Sequence, residues 1–255
     1  MISKHIKDEL NFYVEKYNTI EFIEHDPISI PHCFTKKSDI EIAGFLTQII
    51  SWGKREQILK KSNDLMQRMD LSPLEFIKGF SEADLKSLDG WLYRTFQNDD
   101  LIYFLKQLQH IYLNYEDLES YFSTFVNSSE DHYSYAISRF KTDFFNHNPL
   151  PRTLKHLPDP VKGSSAKRFH MFLRWMVRQD NNDVDFGIWK SLEMSKLSCP
   201  LDVHSGRIGR HYHLITRKQN DFKALCELDS NLRTLNPKDP SAYDFALFGI
   251  GVNQK

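Results

Sequence analysis

The spacing of apolar residues constrains this chain most. Ile42, Phe45, Leu46, Ile49 and Ile50 recur at the i, i+3, i+4, i+7 and i+8 positions that line one face of an α-helix. Leu101, Phe104, Leu105, Leu108 and Tyr112 follow the same rule, as do Phe169, Phe172, Leu173 and Met176. Alternating β-branched runs between turn residues are nearly absent, so the chain reads as all-α. Glycine and proline are sparse, ten of each, which leaves room for long helices. Helix starts are marked by Ser38-Asp39, by Ser72 before an N1 proline at 73, and by Asp239-Pro240-Ser241. Between Asn146 and Gly163, Pro149, Pro151, Pro158 and Pro160 interrupt any helix. That stretch reads as an ordered loop joining an N-terminal helical lobe (1–148) to a C-terminal one (149–255), the two sharing one core. Gln179 to Asp183 reads as a polar turn between helices.

Composition narrows the class. With 40% hydrophobic and 26% charged residues over 255 positions, the chain suits an ordinary soluble globular protein. No apolar run reaches eighteen residues, and Met1 to His5 leads into a charged amphipathic stretch. The expectation is a cytoplasmic monomer with no membrane partner. Cys33, Cys199 and Cys226 lie far apart and form no disulfide framework and no metal-binding spacing. They are expected to be reduced, mostly buried thiols, with no metal and no cofactor. The formal net charge is −1, so any nucleic-acid binding must rest on a local basic face.

Two segments carry candidate chemistry. In the first, Lys162-Gly163-Ser164-Ser165-Ala166-Lys167-Arg168 opens a helix that runs on to Arg178. Ser164 or Ser165 can cap it, leaving backbone N–H groups suited to a phosphate. On an ideal helix Lys167, Met171, Arg174 and Arg178 share a stripe opposite the apolar face. The stripe reads either as a duplex-backbone footprint or as the wet side of an ordinary amphipathic helix. In the second segment, Pro200-Leu201-Asp202-Val203-His204 precedes a helix that includes Arg207 and Arg210. Asp202 suits an N-cap, where the positive helix end favours its ionised form.

The run Pro200 to His204 followed by Arg207 resembles the proline/valine-Asp-x-His…Arg motif of endonuclease III and the 8-oxoguanine glycosylases. Lys167, 35 residues upstream of Asp202, is similar in place to the lysine nucleophile of their bifunctional members. That spacing is closest to the archaeal 8-oxoguanine glycosylase branch, which carries an insertion there. Asp244 to Gly251 resembles the superfamily's late helix ending in a glycine-containing turn. Ile42 to Arg55 resembles its early core helix, which leads into a DNA-entering loop. The whole chain also resembles a divergent bacterial family, most specifically over Phe172–Arg178 and Pro200–Arg210. The typical Leu-Pro-Gly-Val-Gly hairpin is altered: Leu157 to Gly163 keeps one glycine, and its prolines offer no N–H donors. No four-cysteine iron–sulfur motif is present.

The resemblance implies a two-lobed helix-hairpin-helix glycosylase fold that removes a damaged base, an oxidised one among the candidates, from duplex DNA. Asp202 and Lys167 would be catalytic, the lysine through a Schiff base that permits strand cleavage. Lys162, Gly163, Ser164, Ser165, Arg168, Arg174, Arg178, His204, Arg207 and Arg210 would contact nucleic acid. Trp52, Trp91 or Tyr93 would stack on the flipped base or fill the gap it leaves, core packing being the plainer role for each. A non-catalytic nucleic-acid-binding protein that retains the fold is the alternative. A helical protein acting on something other than DNA is the third reading.

Overall fold

A computed structural model describes residues 2–253. Among these the secondary structure is helical, with no β-strand and two isolated bridges, Tyr93–Phe96 and Ser164–Asp221. None of the helices described is long and apolar enough to cross a membrane. The first half holds α1 (Lys4–Tyr17), α2 (Glu21–Glu24), α3 (Lys37–Ile50), α4 (Arg55–Arg68), α5 (Pro73–Gly79), α6 (Glu82–Ser87) and α7 (Asn98–Asn114). Then come α8 (Leu118–Ser123), α9 (Ser134–Phe144), α10 (Lys167–Val177), α11 (Val203–His211), α12 (Phe222–Leu235) and α13 (Tyr243–Asn253).

The chain divides into two compact units that interleave in sequence rather than meeting once near residue 148. One is His25–Phe125 with Phe140–Leu157; the other is Met1–Glu24, Val126–Arg139 and Pro158–Lys255. The N-terminal helix belongs with the C-terminal ones because Leu10 of α1 is fully buried in a cluster with Leu201, Ile208, Leu247 and Ile250.

In the unit that begins at His25, α3 is the centre. The apolar spacing predicts one buried face, but every residue from Asp39 to Ile50 is buried. Phe45 packs against Phe104, Phe140 and Phe144 at ring distances of 5.7–6.2 Å. The helix starts at Lys37 with no side-chain cap, so Ser38-Asp39 does not cap α3. Asp39 instead accepts the backbone N–H of Leu74 (2.8 Å), in the first turn of α5 after its N1 proline. The proline-rich segment carries one 3₁₀ turn, Thr153–His156. Thr153 anchors that turn by donating to Asp100 (2.6 Å).

Burial of Asp39–Ile50 puts Glu41 inside, beside the partly exposed Lys37. Lys37 bridges Asp117 (2.6 Å) and Glu119 (2.5 Å), while Glu41 accepts from the Tyr112 hydroxyl (2.7 Å) and from Leu118 N (3.2 Å). Burial pushes the Glu41 carboxyl up to about 7, against the downward pull of the Tyr112 hydrogen bond. Its folded value lies above the ordinary 4.5, so the folded chain holds an extra proton between about 4.5 and 7. Stability therefore falls as pH rises through that window. Relative to wild type, Glu41→Gln should gain on the order of 2 kcal/mol between pH 5 and pH 8. Urea denaturation at the two pH values reads this, and equal effects at both would contradict it.

In the other unit α13 packs along α1 and α11. A glycine-containing turn is expected near its end, but α13 runs through Gly249 and Gly251 to Asn253. These glycines serve close approach. A Cβ at 249 would collide with the Tyr17 ring, and one at 251 would lie 2.8 Å from His204 Cβ and 3.1 Å from the His204 backbone.

Candidate active site

Asp202 is the N-cap of α11. Its Oδ1 accepts from the N–H groups of His204 (2.8 Å) and Ser205 (3.0 Å). Ser205 Oγ accepts in return from Asp202 N (2.8 Å) and donates to Pro200 O (3.0 Å). This reciprocal box fixes the carboxylate on its helix end. The other oxygen, Oδ2, lies 3.8 Å from Lys167 Nζ, and both side chains remain partly open to solvent, at 23% and 29%. Two residues 35 positions apart in sequence thus meet as an accessible ion pair.

Lys167 is the first residue of α10, directly after Ala166 in the left-handed region (φ 48°). Neither expected serine caps this helix. Ser164 Oγ accepts from Ala166 N (3.1 Å), and Ser165 Oγ donates to Leu201 O (3.3 Å), tying the start of α10 to the residue before Asp202. The preceding turn closes by Gly163 N donating to Pro160 O (2.8 Å). Gly163 takes a positive φ of 97° with open space around it, and its carbonyl accepts from Phe222 N (3.0 Å). Val161, Lys162, Gly163 and Ser164 are exposed, so the turn presents its tip to solvent.

The stripe along α10 is not a wet face. Arg174 and Arg178 are each 2% exposed. Arg174 pairs with Asp185 (3.2 Å) and Asp244, and Arg178 pairs with Asp180 (2.7 Å), Asp239 (3.0 Å) and Asp185 (3.1 Å). Both guanidinium groups also sit over the Phe245 ring, at 4.4 and 5.2 Å. The sequence places them on the polar side of α10; the structure makes them the cationic centre of a buried carboxylate network. The expected polar turn supplies Asp180, which also accepts from Asn18 (2.5 Å). Arg168 is half-buried, and burial holds its guanidinium down at about 10.

On α11, His204 and Arg207 are exposed, and both reach Gly251 O, at 3.0 Å from the ring Nδ1 and 2.7 Å from the guanidinium. Arg210 is committed to the following loop, donating to Arg217 O, Gln219 O and Asn220. Gly251→Ala is therefore expected to push α13 off the first turn of α11, costing about 1–3 kcal/mol and weakening any activity that depends on Asp202. Thermal denaturation checks the first effect; an unchanged melting temperature would show that the contact yields freely.

Of the aromatic candidates, Trp91 is 1% exposed and packs edge-on against Phe96 (6.0 Å), so it is a core residue. Tyr93 is 5% exposed and uses its hydroxyl to donate to Trp52 O (2.7 Å). Trp52 alone is half-exposed, with the Arg94 guanidinium 4.4 Å over its ring. Among the thiols Cys199 is buried, Cys226 is half-buried and Cys33 is exposed. A cleft of about 490 Å³ in the unit of Lys167 is lined by His132, Lys196, Cys226 and Arg233 among others, and neither Lys167 nor Asp202 lines it.

Sequence reasoning did not single out Asp185, Asp239 or Asp244 as partners of the arginines. Asp239 and Asp244 flank the start of the last helix, which is also what ordinary caps look like, so no local signal marked them. Comparison with curated proteins and comparison with solved structures each returned no match. The model of the family described as protein of unknown function (DUF2400) matches residues 26–253, and the chain belongs to that family.

Proposed function

We propose that the chain is a DNA-repair N-glycosylase with lyase activity, acting on a damaged base in duplex DNA on a divergent helix-hairpin-helix glycosylase fold. The observation that carries this reading is the partly open Lys167–Asp202 pair at 3.8 Å, formed by the starts of two helices. Lys167 Nζ, once neutral, attacks C1′ of the damaged nucleotide. The C1′–N bond breaks with its electron pair leaving on the base, which takes up a proton. Opening of the sugar ring gives a Schiff base, from which elimination cleaves the strand. Asp202 stabilises the positive charge that develops at the sugar, as carboxylates do in glycoside hydrolysis. Exposed Lys162, His204 and Arg207 supply phosphate contacts.

The second reading, a binding protein without turnover, draws on the turn at Pro158–Gly163, with its two prolines, and on the withdrawal of Arg174 and Arg178 from solvent. Duplexes carrying 8-oxoguanine or uracil separate the two, assayed for free base and for binding over a range of salt. Release of base is the expected result. Salt-dependent binding without release would favour the binding protein. Neither release nor binding would overturn the assignment to nucleic acid.

A further inference from the structure

The Lys167–Asp202 pair is held from a third place in the chain. Asn220, half-buried in the loop before α12, donates its side-chain N–H to the backbone carbonyl of Asp202 (2.7 Å), eighteen residues earlier. Its amide oxygen accepts from Arg210 in the last turn of α11 (2.7 Å). This clasp passes over Gly206. A Cβ there would collide with Asn220 Oδ1 and lie 2.8 Å from its Nδ2, so a side chain at 206 would displace the amide from Asp202. The next two residues reach the segment ahead of the lysine. Asp221 caps α12 by accepting from Ala224 N (3.1 Å) and is gripped by two N–H groups of Arg217 (2.7 and 2.6 Å). It also forms the isolated bridge with Ser164, and Phe222 N donates to Gly163 O (3.0 Å), just upstream of Lys167. Three consecutive residues thus tie the turn before α10 to the cap of α11.

We infer that Asn220 is a positioning residue for Asp202, the working end of a strap, Asn220–Phe222, that sets the separation of the Lys167–Asp202 pair. The capping box orients the carboxylate on α11, but its bonds stay within Pro200–Ser205. They do not fix where that helix start lies relative to Lys167. Bonds from outside do so: Ser165 donates to Leu201 O (3.3 Å), and Asn220 donates to Asp202 O. The Asp202 carbonyl already accepts the first helical bond, from Gly206 N (2.9 Å), and its second lone pair serves Asn220. The catalytic consequence, slower release of base with duplex affinity unchanged, rests on the reading of Asp202 as catalytic; the placement of the pair does not.

The test joins the pair chemically. A water-soluble carbodiimide couples a carboxylate to an amine beside it. Full-length protein should therefore yield a Lys167–Asp202 amide, mapped by mass spectrometry, with the Lys106–Glu82 pair (3.4 Å) as internal reference. Asn220→Ala should lower that yield about fivefold, the population ratio that one hydrogen bond of ordinary strength maintains. Asn220→Asp keeps the acceptor for Arg210 but loses the donor to Asp202, and should lower the yield as far. Gly206→Ala should match them by displacing the amide, and adding Asn220→Ala to it should lower the yield no further. If Asn220→Ala does not fold, Gly206→Ala carries the same comparison, because alanine suits a helix interior better than glycine. An unchanged yield in folded Asn220→Asp and Gly206→Ala overturns the inference, as does a wild type that forms no such amide. Base release from duplexes carrying 8-oxoguanine or uracil, assayed on the same proteins, keeps the two claims apart. A wild type that crosslinks yet releases no base sinks the glycosylase reading and leaves the strap standing.

Discussion

Replacing Arg174 with methionine is expected to destabilise the chain by about 3–5 kcal/mol and lower its melting temperature by roughly 10 °C. The guanidinium is 2% exposed and holds Asp185 and Asp244. Its loss leaves buried Asp244 without its cation and Asp185 with Arg178 alone, rather than removing one contact. Burial already pushes both carboxyls up, and the arginine is what keeps that rise in check. Arg174→Lys should restore only part of the loss, because an ammonium lacks the planar fork that serves two carboxylates at once. A surface arginine gripping phosphate would behave in the opposite way, losing DNA affinity with its melting temperature unchanged. Differential scanning calorimetry of the two variants separates these outcomes.

On the glycosylase reading, Asp202→Asn is expected to leave the fold intact and lower base release by about 10²–10³-fold. The two tasks of this carboxylate fall on different oxygens. Oδ1 caps α11 through His204 and Ser205, whereas Oδ2 faces Lys167. Asparagine still offers a capping oxygen, so the helix start survives while the charge disappears. Asp202→Ala removes both and should cost about 1 kcal/mol in addition. Single-turnover release of base, measured beside thermal melts, distinguishes charge from cap. Equal activity of wild type and Asp202→Asn would leave the residue as a cap and nothing more.

Much of the helical architecture was legible because apolar spacing is a local signal. Helices α3, α7 and α10 stand where Ile42, Leu101 and Phe169 begin their repeats. The cap at Asp202 was legible for the same reason: its donors lie two and three residues away. What failed was long-range. Arg174 looks like a solvent-facing residue until Asp244, seventy positions later, is brought beside it. Asp39 looks like a cap for its own helix, and only packing hands it to α5. The interleaving of the two units has a similar origin, since the face α1 buries is completed by residues more than two hundred positions away, such as Ile250. Periodicity reports which residues avoid water; it is blind to a charge buried by opposite charges from elsewhere.

The central claim is that Lys167 is the nucleophile of a glycosylase/lyase, and borohydride trapping tests it most directly. Full-length protein is incubated with duplex DNA carrying 8-oxoguanine, uracil or an abasic site, in the presence of borohydride, and any adduct is mapped by mass spectrometry. A covalent complex attached at Lys167, absent in Lys167→Gln and reduced in Asp202→Asn, is the result expected. An adduct that persists in Lys167→Gln, or none on any substrate despite salt-dependent binding, would contradict it.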